Sequence, residues 1–153
     1  ACNARYLTSG VDALDSVESS TVDFIFSQAV LEHVSLGEFR RVQQECFRVL
    51  HCGGVASHRV DLKDHLGGAL NNLRFSKKVW ESPFFVRSGF YTNRIRMQSM
   101  LEIFRDAGFE ISAQDVRRWN ELPTPLDKMA PDYANLSEDD LLVSGFDVVL
   151  QRR

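Results

Sequence analysis

The chain has 153 residues, enough for one domain with its own core, and its 44% hydrophobic and 25% charged residues are those of a globular protein. Its 18 basic and 21 acidic side chains give a net charge of −3, which argues against a general nucleic-acid binder built on a basic surplus. No apolar stretch approaches the roughly 20 residues that span a bilayer, so neither nucleic acid nor membrane is an expected partner.

The opening "ACNARYLTSG" has no initiator Met and no charged-then-apolar leader, and it runs almost directly into a strand-like "RYLTSGV". This predicts that the chain begins part-way through a longer protein. "VDFIFSQAVLEHV" follows: Val22, Phe24, Ile25 and Phe26 read as a strand buried on both faces, and Ser27, Gln28, Glu32 and His33 bring polar groups to its carboxyl end. In "SLGEFRRVQQECFRVL", Leu36, Phe39, Val42, Cys46, Phe47 and Leu50 recur at helical steps. Ser35 and Glu38 have capping-box spacing, and Gly53 and Gly54 stand where a chain leaving a helix needs positive φ. "GVASHRVDL" is the next strand, which makes the unit a right-handed parallel crossover.

Residues 63–93 lose periodicity. Order returns from Ile95 to Ala107, where Met97, Met100, Leu101 and Phe104 form one stripe that Gly108 ends. "FEISAQDVRRW" and "GFDVVLQRR" read as the last two strands, joined by an irregular, proline-bearing connection in which Ser137 caps a short helix. Cys2, Cys46 and Cys52 are odd in number, form no CxxC pair and have no His at metal-ligand spacing. Cys46 falls on the apolar helix face, and a reducing cytoplasm is the expected location.

In open parallel sheets, ligands sit outside the carboxyl ends of the strands, here residues 10–14, 27–33 and 58–65. "VDFIFSQAVLEHV", then "EFRRVQQECFRVLHCGGV", then "MLEIFRDAGFE", resembles the second half of class I S-adenosylmethionine-dependent methyltransferases in order and spacing. His51 and Cys52 replace that family's usual Lys-Pro but keep both glycines. The resemblance implies an α/β, partial Rossmann-like methyltransferase fold: family strands 4-5-7-6 retained, strand 3 ("RYLTSGV") separated from them, and the last strand antiparallel. It implies one partial domain over 1–153: a third-strand remnant (1–20), a strand-helix-strand core (21–62), a lid or acceptor region (63–96) and a carboxyl-terminal helix with a strand pair (97–153). The family's glycine-rich loop and ribose-binding acid are not found in these residues. Strand 4 would then present a bare edge, so either the chain forms a homodimer through that edge or residues 1–20 leave their family position.

By the same resemblance the cofactor is S-adenosylmethionine. Asp12 would accept from the adenine amino group, with Ala13 nearby, and Ser27 and Gln28 would line the crevice beside the methionine moiety. Asp12 also fits a plain turn residue. His33 is the candidate catalytic residue, as a general base or a substrate-orienting group; it equally fits a helix-entrance residue bonded to a backbone carbonyl. Glu32 fits the dipole of that entrance or a ligand contact.

"SHRVDLKDH" places His58, Arg59, Asp61 and His65 where the family puts acceptor-binding groups, and its spacing matches no strong metal template. Residues 71–98 carry Arg74, Lys77, Lys78, Arg87, Arg94 and Arg96 against the single acid Glu81, interleaved with aromatics. They read either as a packed cap with a solvated rim or as a lid in which Trp80, Tyr91 and Arg94 recognise an anionic or glycosylated small-molecule acceptor. A stacking platform for single-stranded nucleic acid shares these features and is disfavoured by the acidic balance. The expected function is methyl transfer by the parent protein, with this chain inactive alone; the alternative is a non-catalytic α/β interaction module using its sheet edge or basic lid.

Overall fold

In the computed structural model, which describes residues 3–153, the strands β1 (Val22–Gln28), β2 (Leu50–Asp61), β3 (Glu110–Arg118) and β4 (Val143–Gln151) form one sheet in the order β1-β2-β4-β3. β1 runs parallel to β2, and β4 runs antiparallel to both β2 and β3. Cys2 lies outside the described residues. No described helix is long and apolar enough to cross a membrane.

Helices α1 (Phe39–Val49) and α4 (Met97–Asp106) cover one face of the sheet. Their apolar stripes meet the inward residues of the strands: Phe39, Phe104, Ala56, Val60, Phe146 and Leu150 are each completely buried. Each such aromatic contributes about 2–3 kcal/mol by leaving water. A second small core forms around Leu70, Leu73, Tyr133 and Leu141, among the irregular segments and the one-turn helix α5 (Glu138–Leu141); the one-turn helices α2 (Lys77–Trp80) and α3 (Pro83–Val86) contribute no residue to it. Ser137 accepts the amide of Asp140 and caps α5 as its sequence suggests.

Four local expectations need correction. Val22–Phe26 is not buried on both faces: β1 is an edge strand with helices on one side only, leaving Phe24 and Phe26 exposed at 56% and 74%. "RYLTSGV" forms no strand, because residues 3–8 have no sheet edge beside them. The chain instead makes a 3₁₀ turn, Gly10–Ser16, docked on α1 through Arg41 to Asp12 at 2.7 Å and Arg48 to the Leu14 carbonyl at 2.8 Å.

The capping box does not close either: Ser35 Oγ donates to the Glu38 carboxylate at 2.6 Å, and neither side chain caps an amide at the start of α1. Finally, Gly53 has the expected positive φ, +87°, but it and Gly54 lie inside β2, where pairing jumps from Val22–Leu50 to Phe24–Val55. Gly54 has no room for a Cβ, which would stand 2.9 Å from the His51 carbonyl oxygen. The carbonyls at the end of α1 go to Arg152, whose Nη1 reaches those of Phe47 and Arg48 at 2.9 Å each.

Candidate functional site

At the carboxyl end of β1 the chain reverses through Ala29, with φ at +51°, and enters a 3₁₀ turn, Leu31–His33, that leads to α1. Asn93 clamps this turn: its amide donates to the Glu32 carbonyl at 2.8 Å, and its Nδ2 reaches the carbonyls of Leu31 and Val34 at 2.8 and 2.9 Å. The exposed His33 ring lies with Nδ1 2.9 Å from the Tyr91 carbonyl. That oxygen only accepts, so neutral His33 carries its proton on Nδ1 and leaves Nε2 as an acceptor. The helix-entrance and proton-acceptor readings of this residue are therefore compatible.

His65 meets His33 edge-on, with ring centroids 4.9 Å apart. Its loop is ordered by the buried Asp64 carboxylate, which accepts the amides of Leu66, Gly68, Ala69 and Asn71. Beside His33 opens a groove of about 530 Å³, walled by Val11, Leu14, Val34 and Val42 and bounded by Tyr91. It joins the Gly10–Ser16 turn to the start of α1.

The remaining candidates separate. Asp12 and Ala13 sit on the Gly10–Ser16 turn, with the Asp12 carboxylate held by Arg41. Ser27 Oγ is 2.8 Å from His58 Nδ1, and His58 is only 2% exposed, its ring stacked on Phe104. Burial pushes the His58 pKa down to about 4. This imidazole belongs to the core, because β2 continues to Asp61 and its alternation turns position 58 inward.

Gln28, Arg59 and Asp61 instead line a separate cavity of about 250 Å³ at the uncovered face of the sheet. Arg59 reaches Asp147 at 2.9 Å and Arg117 reaches it at 2.7 Å, and Arg59 foremost holds the Asp147 carboxyl down at about 2. Asp61 accepts the Lys63 amide at 3.0 Å.

In the lid region, Trp80 is completely buried, stacks on Phe85 at 4.9 Å and donates Nε1–H to the Thr92 carbonyl. It is the centre of a small aromatic core. Tyr91 is 5% exposed and donates to Glu81 at 2.8 Å; burial foremost, then Glu81, raises its pKa. Arg94, 9% exposed, spans Trp80 and Tyr133 and donates to the carbonyls of Asn72 and Phe75. Glu32 is 2% exposed with both carboxylate oxygens unpartnered among the described residues, and burial raises its pKa. Asn93, the clamp, went unnoticed in the sequence: a lone Asn in an aperiodic stretch carries no signal until its long-range carbonyl partners are known. Among the described residues no cluster of three metal-ligating side chains exists.

Residues 2–57 match a family model described as a methyltransferase domain. A search of curated proteins found no match. Among solved structures, the chain is similar to an S-adenosylmethionine-dependent methyltransferase from Methanosarcina mazei: 19% identity, 90% of this chain and 62% of that one covered, TM-score 0.58. The chain carries part of a class I methyltransferase fold. An S-adenosylmethionine-dependent methyltransferase from Mesorhizobium loti agrees at 14% identity, 91% and 66% coverage and TM-score 0.53. One from Archaeoglobus fulgidus agrees at 8% identity, 95% and 66% coverage and TM-score 0.53. The chain thus spans 62–66% of the length of these structures. Within the methyltransferase fold, the order β1-β2-β4-β3, with β4 antiparallel, is the 4-5-7-6 half expected from the sequence.

Proposed function

We propose that this chain is the acceptor-side half of an S-adenosylmethionine-dependent methyltransferase acting on a small-molecule or saccharide-like acceptor. The observation that carries the reading is His33, with Nε2 left open, at the groove beside the end of β1, in a chain whose residues 2–57 match the methyltransferase family. A groove of about 530 Å³ has the size of a small-ligand site, and Val11, Leu14, Val34 and Val42 suit the faces of a flat heterocycle. The sulfonium of the donor is already activated, so the chain's own work is alignment, with His33 available to take a proton from an acceptor hydroxyl or amine. Tyr91 borders the same space and His65 meets the His33 ring, whereas Trp80 supports it from inside the lid.

By itself this chain binds the donor through one wall and is expected to turn over poorly. The edge of β1 pairs with a second copy in this reading, and the exposed Phe24 and Phe26 favour a contact there.

Titration with S-adenosylhomocysteine, followed calorimetrically and by amide shifts, tests the donor site. Saturable binding at about 1–100 μM that shifts Val11, Leu14 and Val34 supports it. No binding at millimolar ligand, or shifts confined to other surfaces, overturns it and favours the interaction module.

A further inference from the structure

The groove at His33 differs in charge from the lid beside it. Of the six basic side chains in residues 71–98, none lines the groove. Lys77, Arg94 and Arg96 line a different cleft, where Arg94 faces Glu81 at 3.5 Å and Arg96 donates to the carbonyls of Leu62 and Asp140. Arg74, Lys78 and Arg87 are exposed and line neither space. The cations of α1 are matched as well: Arg40 by Asp106, Arg41 by Asp12 and Asp15, and Arg48 by Glu45. Glu38 is the one carboxylate among the residues that line the groove, and neither lysine nor arginine accompanies it there.

Glu38 stands at the entrance of α1, and its carboxylate takes part in no ion pair among the described residues. Ser35 Oγ donates to one of its oxygens at 2.6 Å, which steadies the carboxylate without neutralising it. The positive end of the α1 dipole lies in the same wall. It amounts to about half an elementary charge, less than the full charge of Glu38, and the amides of Glu38 and Phe39 are already bonded to the Ser35 carbonyl. His33 adds a second acceptor, since Nδ1 is engaged by the Tyr91 carbonyl and Nε2 stays open. Val11, Leu14, Val34, Val42 and Val86 make the rest of the lining largely apolar. An anionic head would therefore meet a like charge here, whereas a cationic head rich in N–H groups finds two acceptors.

We infer that the acceptor bound in this groove carries a protonated amine on a small apolar or aromatic body, and that Glu38 selects for it. This rests on the reading of the groove as the methyl-transfer site. The ammonium donates to Glu38 and to His33 Nε2, and the body lies along Val86 and Tyr91 on the lid side, leaving Val11, Leu14 and Val42 to the donor. For transfer, the ammonium gives one proton to His33 Nε2. The lone pair so freed forms the new N–C bond as the electron pair of the S–C bond is left on sulfur. His33 then releases its proton to water, so nitrogen exchanges one proton for one methyl group.

Amide shifts are followed on addition of 2-phenylethylamine, 2-phenylethanol and 3-phenylpropanoate at pH 8. These probes share a phenylethyl body and differ in the charge of the head. The amine is expected to shift Ser35, Glu38 and Val86 saturably in the millimolar range, about threefold or more tighter than the alcohol and about tenfold or more tighter than the carboxylate. Glu38→Gln keeps an acceptor for Ser35 and loses the charge, so it should bring the amine to the level of the alcohol and leave the alcohol unchanged. No saturable shift with the amine, equal or tighter binding of either other probe, or a preference that survives Glu38→Gln overturns the inference. So does a Glu38→Gln variant that weakens amine and alcohol alike, which would reduce Glu38 to a support of the α1 entrance. Titration with S-adenosylhomocysteine reports separately on the donor: its failure with the amine preference intact removes the methyl-transfer reading and keeps the amine site, whereas donor binding without the preference removes the amine alone.

Discussion

His58 stays neutral because it is buried, and this ties stability to pH. In the unfolded chain an imidazole titrates near 6.5, whereas in the fold burial lowers it to about 4. Between those values the unfolded state binds a proton that the native state refuses. The contribution is therefore fully present above pH 6.5 and is lost as pH falls toward 4, by about 3 kcal/mol in all. Urea unfolding at pH 7.0, 5.5 and 4.5 is expected to show that decline, and His58→Gln to flatten it; an equal slope in the variant would assign the acid sensitivity elsewhere. Sequence alone put His58 with Arg59 and Asp61 in an acceptor loop because the strand was read without its alternation. His58 became a core residue only once Ser57 and Val60 were fixed on β2 opposite Val149 and Phe146.

At the scale of elements, helices and strands were legible where a stripe and a stop coincide. Met97, Met100, Leu101 and Phe104 with Gly108 mark α4 unmistakably. The ends were not, since their hydrogen-bond partners are remote: the carbonyls of α1 are met by Arg152 about a hundred residues on, and Ser35 turns to Glu38 instead of to an amide. The site was legible in the same uneven way. His33 could be picked from its local segment, whereas the Asn93 clamp depends on a contact across 62 residues. Gly108 joins the two kinds of information, because its φ of +104° ends α4 and a Cβ there would meet Phe47 Cζ at 2.9 Å. Phe47 cannot retreat freely: it packs edge-on against Phe109 at 5.2 Å and under Arg152 at 4.8 Å. Gly108→Ala is expected to cost about 2 kcal/mol or more and lower Tm by several degrees. Gly37→Ala, with nothing within 4 Å of the added Cβ, should stay within about 0.5 kcal/mol. Equal melting of the two variants would refute the role of Gly108.

Across the whole molecule, one asymmetry dominates: α1 and α4 cover one face of the sheet, and the other face has no helix against it among the described residues. That open face is itself divided by register. Phe24, Phe26, Val55 and Val149 make one half apolar, while Gln28, Arg59, Asp147 and Asp115 make the other polar. The facing Asp115 and Asp147 carboxylates would repel without Arg59 and Arg117, which bracket Asp147. The polar half can remain in water, but the apolar half adjoins the free edge of β1, where unpaired backbone groups and exposed aromatics coincide. Antiparallel pairing of two β1 strands about Ile25 would set Phe24 of one copy opposite Phe26 of the other and bury both pairs on the open face. Sedimentation is therefore expected to show a dimer at tens of micromolar chain, about −6 kcal/mol or better on the 1 M scale. Phe26→Lys should give a monomer, because a lysine at that position puts a charge into the aromatic contact; since Phe26 is 74% exposed in the single chain, the monomer's melting temperature should barely move. A wild-type chain that stays monomeric at about 100 μM would remove the second copy as the occupant of this edge, and a dimer undisturbed by Phe26→Lys would place its contact elsewhere on the surface.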